Sequence, residues 1–325
     1  MKRALLCSAF AALLTGCGLC PSPPSAATGT AARYPITDVA SAPATPVRNQ
    51  AKSGTCWAFG GVSLIESEAI RTRRCTPDLS EMWVVRHAYF EKAVKYVRTR
   101  GRVAFDQGGE IQDVLWLVDR YGIVPQSLYE GGAADGTYDH ASLAKAIRRL
   151  AKRIVDKKLY EKEHWQRMID EELDRRLGAR PDRFVIDGVA YTPFSYADSI
   201  GFRRDDYVAL TSFTHHPFFE RFVLEIPDNW AAHATLNIPL DSLMRLLDSA
   251  LAAGYTAAWD ADVSERGFGR RAGIALLPQQ EGRITLPAPE IVVDQPLRQR
   301  MFDTQATTDD HVMHIVGTAV DSLGN

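Results

Sequence analysis

Cysteine is scarce in this chain, five residues in 325, and neither sign of charge dominates: 38 Lys and Arg stand against 40 Asp and Glu, a net charge of −2. That balance removes any whole-molecule electrostatic argument for nucleic acid as a partner. No zinc-type Cys/His spacing and no phosphate-cradling Gly loop occurs, so neither a metal nor a small-molecule cofactor is implied. Long apolar runs are missing too. The one at residues 4–14 is too short to anchor a folded domain across a bilayer. The length suffices for one large domain or two lobes with an ample core.

The start of the chain speaks to location. Met1-Lys2-Arg3 ahead of the apolar run reads as a secretory signal. Leu14-Thr15-Gly16-Cys17 resembles a bacterial lipobox, which implies a signal over 1–17 and lipid attachment at Cys17. The alternative is an ordinary signal cut near Ser25-Ala26-Ala27, giving a periplasmic or secreted protein. Lipid on Cys17 would hold the protein on an envelope membrane, each buried CH₂ contributing about 0.8 kcal/mol. Residues 18–43, rich in Pro, Ala, Ser, Thr and Gly, read as a flexible tether. Cys7 leaves with the signal, and Cys20 and Cys75 either form a bridge or remain two free thiols.

The segment Gln50-Ala51-Lys52-Ser53-Gly54-Thr55-Cys56-Trp57-Ala58-Phe59 sets a thiol at the mouth of an apolar helix, six residues after a side-chain amide. A thiolate at a helix N-terminus is stabilised by unpaired N–H groups and by the macrodipole, and an imidazolium beside it adds to this. The Gln50 amide can reach back to donate to a developing oxyanion. A buried cysteine alone is more often an inert core residue. Near the other end, Asp309-Asp310-His311-Val312-Met313-His314 places a histidine at the start of an apolar strand. His311 and His314, three apart, face opposite sides of that strand, so only one can address Cys56. His311, at the strand's start, is the choice.

These segments resemble papain-like cysteine peptidases. Gln-x5-Cys-Trp matches the family's nucleophile signature, Leu79-Ser80-Glu81 its second-helix opening, Gly108-Gly109 its substrate-facing Gly pair and Asp310-His311 its general-base segment. The resemblance implies Cys56 as nucleophile, His311 as base, Gln50 in the oxyanion hole, and Gly108, Gly109 and Trp57 against the substrate. His311 follows Cys56 by about 255 residues, against roughly 130–150 in the compact enzymes. That separation, with Gly-Gly-Glu leading into Leu115-Trp116-Leu117-Val118, is similar to the bleomycin hydrolase and aminopeptidase C branch. The compact enzymes' cysteine pair near the site is replaced by Ser53 and Asp106, a joint absence that fits a branch built without the bridge. The family's Asn-Ser-Trp-Gly segment, which supplies the third triad member, is not found after His311. The chain therefore reads as C-terminally truncated, with a strand over 311–320, a turn at 321–325 and the returning strand missing, leaving an unpaired sheet edge. Asn325 is a poor stand-in, because pairing back opposite His311 would need on the order of ten more residues.

The expected fold is α+β, a papain-like two-lobe architecture: a helical lobe at 44–135, a helical insertion at 136–182 and a β-rich lobe at 183–325. Helical spacing runs over 56–71, 80–100, 110–121 and 240–251, and over 141–177 as one helix or a helical hairpin. Seven Lys and Arg from Lys145 to Lys158 read as a solvated helix face. Residues 184–191 read as a hairpin with an Asp-Gly turn, and 222–226, 255–259 and 312–316 as strands. His215-His216 has no third ligand nearby in sequence and reads as a loop pair.

The expected activity is peptide-bond hydrolysis through a Cys-His thiolate/imidazolium pair, with a peptide as substrate. One alternative is a catalytically impaired homologue that binds peptides or partners at the envelope. A transglutaminase-like acyltransferase shares the chemistry, but its Asp-bearing follow-on strand is not evident. Exopeptidase or endopeptidase action, substrate preference and oligomeric assembly stay open.

Overall fold

In the computed structural model, residues 36–132, 137–265, 267–269, 273–279 and 289–321 are described. The signal, Cys7, Cys17, Cys20 and Asn325 lie outside them, as do the turn residues 322–325. The description below concerns the unit that begins at Tyr34.

Three helices form where the apolar spacing predicts them: α1 (Cys56–Arg73), α2 (Glu81–Arg98) and α3 (Ile111–Tyr121). Ser80 starts α2 by accepting from the Trp83 N–H at 3.0 Å, while its hydroxyl donates to the Tyr129 carbonyl at 2.6 Å. The charged stretch resolves into the hairpin alternative, α4 (Ala141–Asp156) and α5 (Lys162–Leu177). All seven basic side chains on and after α4 are exposed, while Leu143, Ile147, Ala151 and Ile154 are buried. The hairpin is less separate than the word insertion implies. Fully buried Arg86 of α2 donates to Asp170 at 2.9 Å and Asp174 at 2.6 Å, both on α5, and Ile147, Ile154, Ile169 and Leu173 belong to the same core as Trp57 and Met82.

The strands are short. The first, β1 (Ile36–Ser41), falls inside the stretch expected to be a loose tether. Next come β2 (Phe184–Ile186) and β3 (Val189–Tyr191), joined by Asp187 and Gly188 at φ of 50° and 79°, as the Asp-Gly signal requires. A brief helix α6 (Pro193–Ser199) leads to β4 (Leu210–Thr211), β5 (Arg221–Val223) and β6 (Ala234–Asn237), with β6 central between β4 and β5. Then follow α7 (Leu240–Ala252), β7 (Ala257–Ala261), β8 (Phe268–Gly269), β9 (Ile274–Ala275), α8 (Gln295–Asp303), β10 (His311–Ile315) and β11 (Gly317–Asp321). The expected single strand over 311–320 is two strands in two sheets. It breaks at Val316: β10 pairs antiparallel with β7, whereas β11 pairs antiparallel with β1, from Ile36 opposite Asp321 to Ser41 opposite Gly317. The α+β class holds, although the C-terminal half carries α6, α7 and α8 among its strands.

Helix α1 is clasped between β10 and α3, and two adjacent glycines make the clasp close enough. A Cβ on Gly60 would stand 2.6 Å from Val312 Cγ1, and one on Gly61 would stand 2.6 Å from Val114 Cγ2. Further along, the Ser63 hydroxyl hydrogen-bonds His314 Nδ1 at 2.8 Å. Helix and strand advance in step, since seven helical residues rise about 10.5 Å and three strand residues about 10 Å. Fixing Ser63 at His314 therefore fixes Cys56 near His311. Gly60→Ala should force Val312 aside and cost roughly 1–3 kcal/mol, lowering the midpoint of thermal unfolding by a few degrees.

Candidate active site

Thr55 precedes α1 with no side-chain cap, and no acidic residue occupies the helix's first turn. The Ala58 N–H turns back to the Thr55 carbonyl at 2.9 Å, while the Trp57 N–H serves the Cys56 sulfur. Upstream, Gln50 and Ser53 close a small turn: Gln50 Nε2 donates to the Ser53 carbonyl at 2.7 Å, and the Ser53 hydroxyl donates to the Gln50 carbonyl at 2.8 Å. Ser53 also meets Thr55 Oγ1 at 2.6 Å. Ser53, where the compact enzymes carry a bridging cysteine, is therefore held by hydrogen bonds instead.

On the facing side the Gly loop is fixed by Lys92 of α2, a buried side chain whose ammonium donates to the carbonyls of Asp106, at 2.7 Å, and of Gly108. Gln107 completes the junction. Its Oε1 accepts from the Gly54 N–H at 2.9 Å and its carbonyl accepts from Trp57 Nε1 at 3.0 Å.

Between these parts lies a cavity of about 290 Å³ lined by both Cys56 and His311, together with Gln50, Gly108, Gly109 and Val312. The sequence-chosen nucleophile, base and amide thus share one space. His314 does not join them: it is turned to Ser63, and burial drives its imidazole down to about 4. Trp57, expected at the substrate, is instead a core residue, 1% exposed. The Gly pair is closely covered from within the chain, because a Cβ on Gly108 would collide with the Asp228 carboxylate and one on Gly109 with Asp113 and the Trp57 indole. Asp310, beside His311 in sequence, accepts from the Val263 N–H at 2.8 Å through Oδ1.

The wall of this cavity is acidic to a degree the sequence reading missed. Five aspartates line it, Asp106, Asp228, Asp260, Asp309 and Asp310, and no Lys or Arg does among the described residues. Burial raises the Asp260 carboxyl to about 7, with Asp309 and Asp228 adding to the shift, and burial raises Glu110 just behind it to about 9. Burial also pushes the Cys56 thiol up. The Val312 and Trp57 N–H groups pull it down, while Asp260 and Asp228 push it further up. Asp260 escaped notice because the strand predicted over 255–259 stops one residue short of it. In the structure it sits on β7 opposite Val312.

A second, larger cleft of about 570 Å³, lined by Lys95, Arg98, Trp116 and Trp230, holds none of the sequence-predicted residues. His215 and His216 do acquire a third neighbour, Glu225, at 3.2 and 2.7 Å, a contact that sequence distance concealed.

The family model for papain family cysteine protease matches residues 35–168. Aminopeptidase C of Lactococcus lactis subsp. cremoris is 22% identical over 320 residues, covering 86% of this chain and 72% of the relative. The crystal structure of PepW from Lactobacillus rhamnosis HN001 superposes with a TM-score of 0.63 at 18% identity, covering 90% of this chain and 73% of that one. By family model over residues 35–168 and by fold over most of its length, the chain is similar to papain-family cysteine peptidases. The likeness to aminopeptidase C is in line with the branch resemblance read from the motifs.

Two measurements test the electrostatics. At pH 8 the Asp260→Asn change should speed alkylation of Cys56 by iodoacetamide, because removing that charge lowers the thiol's pKa. Glu110 binds its proton more tightly folded than unfolded, so its contribution to stability falls as pH rises from about 4.5 toward about 9. Glu110→Gln should accordingly raise the melting temperature more at pH 8 than at pH 5.

Proposed function

We propose that the protein is a cysteine peptidase. Cys56 attacks the scissile carbonyl, His311 takes the thiol proton and later delivers it to the leaving amine, and the Gln50 amide with the Cys56 N–H stabilises the oxyanion. The observation that carries this reading is the single cavity lined by Cys56, His311 and Gln50 at the uncapped head of α1. Homology to papain-family peptidases supports the same chemistry. Burial and the acidic wall favour a neutral thiol at rest, so proton transfer to His311 accompanies attack, in place of the preformed ion pair expected from sequence.

Cys56→Ser and His311→Ala should each lower kcat/KM on unstructured peptides by on the order of a thousandfold or more, with the fold retained by circular dichroism. Equal turnover in Cys56→Ser would remove the assignment. Location follows from the N-terminal pattern, which supports lipid attachment at Cys17 and residence on a bacterial envelope membrane. Expressed in a bacterium fed an alkyne-tagged fatty acid, the wild type should take up label and Cys17→Ser should not.

A further inference from the structure

Two adjacent histidines in the loop after β4 converge on one carboxylate. His215 Nε2 stands 3.2 Å from one oxygen of Glu225 and His216 Nε2 stands 2.7 Å from the other, and one ligand atom from each of the three residues lies within 4.8 Å of the other two. Neighbouring residues of an extended chain face opposite ways, so such convergence has to be built. Asn237 of β6, fully buried, builds it. Its Nδ2 donates to the carbonyls of Phe213, His216 and Pro217 at 2.8, 2.9 and 3.1 Å, and its Oδ1 accepts from the Phe213 N–H at 2.9 Å. Gln299 of α8, also buried, accepts from the Thr214 N–H and holds its Nε2 3.0 Å from His215 Nδ1. Both rings are fixed by stacking as well, His215 on Phe302 with centroids 5.4 Å apart and His216 on Phe222 at 4.1 Å.

Two imidazole nitrogens and a carboxylate oxygen suit zinc and its first-row neighbours, whereas magnesium and calcium take oxygen ligands. On a tetrahedral zinc with bonds of about 2.0–2.1 Å, ligand atoms stand about 3.3 Å apart. The His215 separation from Glu225 is close to that value. On the His216 side Glu225 has to withdraw by roughly half an ångström, which its exposed side chain permits. A metal on Nε2 moves the His215 ring proton to Nδ1, where Gln299 Oε1 lies 3.4 Å away to accept it. His215 and Glu225 are exposed, so an ion can enter from solvent and water can complete its coordination.

We propose that His215, His216 and Glu225 form a binding site for a divalent transition-metal ion, zinc by the chemistry of its ligands. Glu225 leads through a turn, closed by Asn229 Nδ2 on the Leu224 carbonyl at 3.1 Å, to Asp228 in the wall of the Cys56 cavity. The ion therefore ties the loop after β4 to the segment that carries this wall residue. The site stands apart from the peptidase reading and does not depend on it.

The test measures metal binding directly. Full-length Cys56→Ser protein, which lacks the cavity thiol as a competing ligand, is stripped with a chelator and titrated calorimetrically with zinc chloride. One equivalent should bind, and His216→Ala and Glu225→Gln should each weaken it about tenfold or more. Zinc should raise the midpoint of thermal unfolding by several degrees in the parent and much less in either variant. Glu225→Gln preserves side-chain size at an exposed position, and melting without metal checks that both variants fold. Cobalt and nickel should replace zinc, and magnesium and calcium should not. Absence of zinc binding at micromolar concentrations overturns the proposal. So does uptake that both substitutions leave unchanged, which places the ion on other groups such as Glu110, Asp260 and Asp309, and so does calcium binding as tight as zinc binding.

Discussion

The contact between α1 and β10 is the constraint on which the site depends. Cys56 opens one element and His311 opens the other, and nothing in the local sequence around either residue brings them together. What does so is a pair of close approaches, Gly60 on Val312 and Ser63 on His314, in elements whose rises happen to match. Gly61 allows α3 to press the same helix from its other side. The buried, largely apolar α1 is therefore a spine with Cys56 at its head, and its two glycines set the distances.

Around that spine, hydrogen bonds do the work a covalent bridge would do. The Gln50–Ser53 turn, the Ser53–Thr55 contact and the Lys92 ammonium on the Gly loop together fix both rims of the cavity. A buried lysine is a costly fastener, its pKa drawn down to about 8 by desolvation, yet it faces the carboxylates of Asp106, Asp113 and Asp228, which favour its charge. The same region therefore combines a buried cation behind the loop with an anionic surface in front of it. Fields of opposite sign within one site are the usual means of holding a thiol, an imidazole and a charged ligand in distinct protonation states.

Much of this was legible in the residues. Helix α1, the opening of α2 after Ser80, the Asp187-Gly188 hairpin and the solvated basic face of α4 rest on local pattern or on motif and are found in the structure, and Cys56 and His311, chosen by motif, line one cavity. What escaped was long-range. Strand β1 lay hidden in a Pro- and Ala-rich stretch because its partner is β11, at the far end of the chain. The break at Val316 was invisible because an apolar run does not reveal that its two halves serve different sheets. Asp228, Asp260 and Glu110 come from three separate elements, and no spacing rule links them. Trp57 was misplaced for a related reason: its position next to Cys56 says nothing about which side of the helix the indole takes.

The order of these elements along the polypeptide has a consequence for the making of the protein. Helices α1, α2 and α3 and much of the core they share come from the first half of the chain. The β1–β11 pairing and the docking of β10 on α1 close the longest loops described and so form late. A growing chain thus carries Cys56 on a formed helix before His311 exists, and the cavity the two residues share is not assembled until β10 docks.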